Sequence, residues 1–184
     1  MNVSHIKWVL VAAVLVIMLP WFAVTYSREH SSKQAIELYT PFSQPRFQLR
    51  FNKSIRWDPQ SFLGRGRDAG YWDWSEKGVV LTPKGENMFA ADGKQIFGDM
   101  VVGKREITTI KSVQPHANQR DVLFIYRWTE MSGGVKLMTN PPPLGREYQA
   151  VATLSEKAGA WEVTSLSDPE YTHIFDILMA ETKK

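Results

Sequence analysis

Nineteen consecutive residues without a charge, Trp8 to Tyr26 (WVLVAAVLVIMLPWFAVTY), set the first limit on any fold this chain can adopt. At a rise of about 1.5 Å per residue, a helix of that length reaches roughly 28 Å, close to the ~30 Å hydrocarbon thickness of a bilayer. Trp8 stands at one end, with Trp21 and Tyr26 towards the other, where amphipathic rings favour the headgroup level. Lys7 and Arg28 bracket the run and can extend their charges outward. The run therefore predicts one transmembrane anchor, with Lys7, Trp8, Trp21, Tyr26 and Arg28 at the membrane interface. A buried helix of a soluble domain would carry a polar stripe, and this run has none. A cleaved signal peptide would close on small residues of A-x-A type, whereas this run closes on bulky Trp21, Phe22 and Tyr26. The absence of cysteine excludes an acylated lipoprotein N-terminus.

Pro20 removes one helical hydrogen bond and predicts a bend near residues 16 to 20. Val9, Ala13, Val16 and Pro20 fall at helical spacing and form a small-residue face for contact with another transmembrane helix. Free use of Val and Ala in an anchor accounts for the same stripe, and no GxxxG motif is present.

Basic residues within reach of the span are nearly balanced: Lys7 and the α-amine on one side, Arg28 and Lys33 on the other. The positive-inside rule weakens for long folded domains, and short-tailed single-span anchors commonly keep the N-terminus inside. The expected placement is a bacterial inner membrane, crossed once, with the domain on the periplasmic side. Zero cysteines fit either compartment.

The division expected is a tail and anchor at 1–26, a juxtamembrane connector at 27–45 and one extramembrane domain at 46–184, long enough for a single core. Net charge is +3, but the basic character is local: residues 46 to 67 hold six Arg or Lys against Asp58. SREHSSKQAIELY continues as a helix until Pro41 and Pro45 stop it. Phe47 to Asn52 alternates as a first strand, and Val79 to Thr82 is a short second one. Residues 53 to 78, rich in Gly, Arg, Asp and Trp, read as an irregular excursion. Thr82-Pro83 opens a short helix expected to end near Asp92-Gly93. Ile107 to Val113 and Asp121 to Glu130 form an antiparallel pair around QPHANQ. Val122, Phe124, Tyr126 and Trp128 share one face, and Leu123 and Ile125 the other, which predicts a central strand. Tyr148 to Ser155 and Trp161 to Leu166 make another hairpin across EKAGA. A last helix is capped by Ser167 with Glu170, or by Asp168 with Pro169, and runs to about Thr182 with Ile174, Ile177 and Leu178 facing the sheet. The fold class is α+β, mainly antiparallel, with a C-terminal helix.

No cysteine nucleophile, GxSxG elbow, phosphate-binding glycine loop or HExxH occurs. His5, His30, His116 and His173 are scattered without a second ligand at metal spacing, so no catalytic residue, metal ligand or cofactor is assigned. The richest chemistry lies in Trp57-Asp58-Pro59 and Gly70-Tyr71-Trp72-Asp73-Trp74. These aromatics suit local packing, a partner or membrane contact, or a stacking platform for a sugar, and Asp58 with Asp73 forms a weak glycosidase-like pair. Arg46, Arg50, Lys53, Arg56, Arg65 and Arg67 interleave with Phe47, Phe51 and Trp57. That pattern could track nucleic acid. LTPKG resembles a stretch of winged-helix regulators, but the two helices such a domain needs before it are missing. The basic cluster suits anionic headgroups or an acidic protein surface better, and no nucleic-acid partner is expected. Met131 to Arg146 is long for a link between strands, and Pro141, Pro142 and Pro143 stiffen it. With Leu137, Met138 and Leu144 it suits an arm that grasps a neighbouring subunit.

In the closing hairpin AGAWEVTSL, Gly159, Trp161 and Val163 follow a G-x-W-x-V pattern. With the preceding meander, this resembles small cystatin-like or NTF2-like α+β domains over about the last 80 residues. The resemblance implies a curved antiparallel sheet and carries no catalytic residue across. The function expected is a non-catalytic, single-span accessory subunit of a larger bacterial membrane complex of respiratory, photosynthetic or secretion type. Its partners would be the bilayer, anionic headgroups and other membrane subunits. Arg46, Arg50, Arg56, Trp57, Arg65, Arg67, Tyr71, Trp72, Trp74 and Pro141 to Pro143 would make the contacts. The alternative is an anchored domain binding a glycan or an amphiphile.

Overall fold

The computed structural model describes residues 23–182. Most of the run from Trp8 to Tyr26 lies outside them, together with Lys7, Trp8, Trp21 and the face of Val9, Ala13, Val16 and Pro20. Among the described residues no helix is long and apolar enough to cross a membrane. Residues 23–38 are helical (α1), and Pro41 then occupies the first turn of a short helix, α2, Thr40–Ser43.

The fold is α+β with three antiparallel sheets and a C-terminal helix. The first sheet joins β1 (Arg46–Asn52), β5 (Gln95–Val101) and β4 (Ala90–Asp92) in the order β1-β5-β4. Strict alternation buries Phe47, Leu49 and Phe51 and turns Arg46, Gln48 and Arg50 outward. Residues 53–78 are more regular than their composition suggests. They contain α3 (Phe62–Asp68) and β2 (Trp72–Ser75), which pairs with β3 (Gly78–Leu81). Burial of the Trp72 indole explains the order: its Nε1 donates to the Leu63 carbonyl at 2.8 Å, and its ring meets Phe51, Phe62 and Phe89 edge-on. Gly66 is required beneath it, because a Cβ there would stand 1.9 Å from the indole.

Thr82 caps α4 (Pro83–Glu86) by accepting from the Gly85 amide. This helix ends six residues earlier than Asp92-Gly93 suggested. Asp92-Gly93 is instead the turn between β4 and β5, with Gly93 at positive φ, and β5 itself carries no clear alternation in sequence.

The largest sheet is the meander β6 (Gly103–His116), β7 (Gln119–Met131), β8 (Glu147–Lys157) and β9 (Ala160–Ser167). β7 is central in this half of the order, with Val122, Phe124, Tyr126 and Trp128 buried and Leu123 and Ile125 half-buried on the other face. In β6, register shifts after Ile107 and Ile110, where Thr108 and Lys111 are the extra residues, let Arg105, Ile107, Ile110 and Val113 all face the core; at Lys104–Arg105 the extra residue is Thr129 of β7. A plain period of two could not do this. Each inserted residue bends and twists the strand. β8 returns into β9 through Ala158 and Gly159, both at positive φ, the backbone of a tight hairpin.

Asp168 caps the last helix, α5 (Pro169–Glu181), and the sequence alternative of Ser167 is not used. Tyr171, Ile174, Phe175 and Leu178 meet the core, while Ile177 stays half-exposed. Tyr171 packs on Trp128 of the large sheet and Phe175 on Phe47 of the small one, so α5 joins the two.

At its start the helix meets a buried ion pair. Arg105 Nη1 donates to Asp168 Oδ2 at 2.6 Å, with the two side chains 1% and 4% exposed. Arg105 Nε and Nη2 donate to the carbonyls of Phe42 and Pro41, and the Tyr126 hydroxyl donates to the same Asp168 oxygen at 2.7 Å. The rings of Phe42, Tyr126, Tyr171 and Trp128 surround the guanidinium at 4.7 to 5.2 Å. Burial, aided by the Asp168 charge, pushes the Tyr126 phenol far up from its usual value, and burial pushes Tyr171 up to about 12.

These phenols stay protonated in the folded chain when the unfolded chain already ionises, near pH ~10. Their contribution to stability is thus intact below about pH 10 and falls as pH rises above it. In an alkaline titration, the last phenolate absorbance is expected to appear together with loss of far-ultraviolet circular dichroism. Complete tyrosine ionisation in a chain that keeps its secondary structure would contradict this.

Candidate interaction surface

The outward chemistry gathers where β2 runs off the core. Trp72 and Trp74 share a strand face, yet Trp72 is buried and Trp74 is 37% exposed. Two residues further along, the core has ended, and Trp74 leans on Trp57 instead, with ring centroids 5.4 Å apart. Arg67, at the end of α3, lies 5.7 Å over the Trp57 ring and holds Asp73 at 3.2 Å. This gives two indoles and a guanidinium in one half-exposed stack, bordered by exposed Arg56.

The loop that carries Trp57 is fixed locally. Asp58 accepts from the Gln60 amide, and Ser61 caps α3 by accepting from the Leu63 amide. Beside it opens a cleft of about 550 Å³, lined by Arg56, Trp57, Asp58, Gln60, Ser61 and Glu181 among others. Asp73 likewise accepts a backbone N–H, from Trp74. Asp58 thus holds a turn, and Asp73 an ion pair with Arg67.

A second cleft, of about 800 Å³, runs along the outer face of the small sheet. Leu49, Met88, Phe89 and Phe97 line it, with Arg50, Glu86 and Asp99 supplying its charge. Arg50 sits 5.7 Å over the Phe97 ring, and Arg46 pairs with Asp99 at 3.0 Å. The two outward arginines of β1 thus lie flat on the sheet with their charge still in solvent.

Four sequence-predicted contact residues belong elsewhere. Tyr71 and Trp72 are core residues, each 1% exposed, so neither ring can meet a partner. Tyr71 donates inward to the Gly133 carbonyl, and burial raises its pKa. Arg65 is a clamp: Nε donates to Leu137 O, Nη1 to Gln60 O and Nη2 to Glu181. Pro142 is buried, while Pro141 and Pro143 are exposed and border a pocket against α5 with Tyr148 and His173. The arm is therefore seated on its own domain. A 3-10 turn, Gly133–Leu137, and the residue after it bury Leu137 and Met138, so that Leu144 is the exposed one of the three side chains expected to grasp a neighbour.

Sequence reading missed Glu181 and Arg105. Glu181, at the end of α5, accepts from the Phe62 amide, Arg65 and Thr139, and so ties the last helix to the start of α3. Nothing local marks it, since its partners lie more than 40 residues away. Arg105 lies two residues before the strand start read from sequence, at Ile107. Continued alternation from Ile107 would have pointed it inward. Among the described residues no three His, Asp or Glu side chains converge as a metal site.

The two kinds of ion pair should respond differently. Glu181→Ala leaves a half-buried arginine and a helix-end amide without their acceptor and should cost about 1–3 kcal/mol in urea unfolding. Asp73→Ala removes an exposed pair and should cost under about 1 kcal/mol. Equal losses would show that the Arg65 clamp is misassigned. No family model, curated protein or solved structure matches this chain.

Proposed function

We propose that this chain is a non-catalytic, single-span accessory subunit of a larger bacterial membrane complex, docking through its arginine–aromatic face. The observation that carries the reading is the stack of Trp57, Trp74 and Arg67 at the edge of the core. Tryptophan and arginine are among the residues on which binding energy most often concentrates: the indole covers much area with few rotatable bonds, and the guanidinium offers several donors in one plane. The basic outer face of β1 continues the same chemistry, with an apolar cleft between charged rims. The uncharged run from Trp8 to Tyr26 supports an anchor in the bilayer, with the domain on the periplasmic side.

A second reading rests on the cleft beside Trp57. Its polar lining of Asp58, Gln60 and Ser61 next to an indole suits a glycan, and its apolar rim suits an amphiphile.

Extraction of the full chain in mild detergent, followed by native electrophoresis and mass spectrometry of co-migrating subunits, separates these. The chain is expected in an assembly well above its 21.0 kDa mass. A Trp74→Ala, Arg67→Ala double variant should weaken the association roughly 30-fold or more, as loss of a binding hot spot does. Migration only as a monomer would overturn the reading. A monomer whose tryptophan fluorescence responds to a glycan would favour the second one.

A further inference from the structure

At the far end of β7 from Arg105 stands a second buried arginine, Arg120, only 3% exposed. Its surroundings differ in one respect. Arg105 has a carboxylate; Arg120 has none in hydrogen-bond reach. Nη1 donates to the carbonyl of Arg28 and Nη2 to the hydroxyl of Ser31, both at 3.1 Å on α1, and Nε has no acceptor. The guanidinium lies 3.6 Å over the ring of Trp161. Burial and the nearby charge of Arg28 both weaken its hold on its proton, and Glu156 opposes them only as the smallest contribution.

Arg28, Arg120 and Trp161 line one pocket of about 260 Å³, together with Ser27, Ser31 and Gln119. Among the described residues neither arginine is in a salt bridge. Arg28, Arg120, Ser27 and Gln119 thus border a space with no acidic residue in its lining, beside a Ser31 hydroxyl that accepts from Arg120 and donates to the Arg28 carbonyl. An unpaired buried donor beside a like charge is costly, and an oxyanion accepting from both arginines would relieve both terms. Guanidiniums match phosphate geometry with paired N–H groups, and the Trp161 ring holds the Arg120 plane fixed for that contact. Carboxylate side chains are absent from the pocket wall, which favours a negatively charged acceptor over a neutral polar one.

We propose that the pocket between Arg28, Arg120 and Trp161 binds a phosphate group, carried by an anionic phospholipid or free in solution. Its position favours the lipid source: Ser27 directly follows Tyr26, the end of the uncharged run, so the pocket lies where a bilayer anchor would bring headgroups. That source rests on the anchored reading, whereas the phosphate chemistry of the pocket does not.

The test uses the full chain in detergent micelles, with native mass spectrometry against phosphatidylglycerol and phosphatidylcholine, and thermal shift against inorganic phosphate. Arg28→Gln is the main variant, because the Arg28 side chain is exposed and only its backbone carbonyl serves the fold. Phosphatidylglycerol should bind roughly tenfold or more tightly than phosphatidylcholine, and Arg28→Gln should remove that preference. Stabilisation by inorganic phosphate that Arg28→Gln abolishes would also support the site and assign it to a free anion. If neither probe binds, or if Arg28→Gln binds both as the unaltered chain does, the site is refuted. Unchanged migration of the Arg28→Gln variant in its larger assembly keeps this result separate from the docking reading.

Discussion

A guanidinium can be buried among four aromatic rings only if its charge and its donors are met, and Arg105 meets both conditions with groups from three elements. Asp168 brings the charge from α5, the carbonyls of Pro41 and Phe42 come from α2, and Tyr126 completes the carboxylate from β7. Removing any one leaves a charge or a polar group stranded in low dielectric. The contact therefore fixes, at a single point, where the N-terminal helices end, how β6 enters the large sheet and where α5 begins. From there α5 crosses to Phe47 and ends on the Arg65–Glu181 clamp, so the small sheet and α3 inherit their position from the same pair.

Arginine has three uses in this fold, separated by burial. Arg105 and Arg65 are spent inside, with acceptors for most of their donors. Arg46, Arg50 and Arg67 lie on the surface, flattened on rings or paired with exposed carboxylates, where the pairs add little stability and the charge stays available. Arg120 falls between them, buried more deeply than Arg65 but, unlike Arg105 and Arg65, without a carboxylate in reach. The surface set forms the face proposed for docking, and the intermediate case lies in the pocket proposed for phosphate.

Much of the fold was legible wherever a period or a cap was strong. The alternation of β1 and β7, the Thr82-Pro83 and Asp168-Pro169 helix starts and the Ala158-Gly159 turn all depend on neighbours in sequence. Residues 53–78 were not legible, because α3 and β2 are short and are held by Trp72 meeting Leu63, Phe51 and Phe89, contacts that alternation does not encode. The bulges of β6 hid its inward face in the same way, by breaking the period of two. For the candidate surface, the stretch from Trp57 to Trp74 was identified, but sequence could not tell which tryptophan faces inward. Trp72 and Trp74 have the same parity on one strand, and only the extent of the core beneath them separates a buried ring from an exposed one.

The central claim is that Arg105 and Asp168 act as one unit on which the arrangement of helices depends. A double-mutant cycle in urea unfolding, with Arg105→Met, Asp168→Asn and the two combined, reads this directly, since Asn keeps the cap on α5. Each single change should cost about 3–5 kcal/mol, because each strands its partner, and the pair should cost far less than the sum. Additive losses, or single losses under about 1 kcal/mol, would contradict the account.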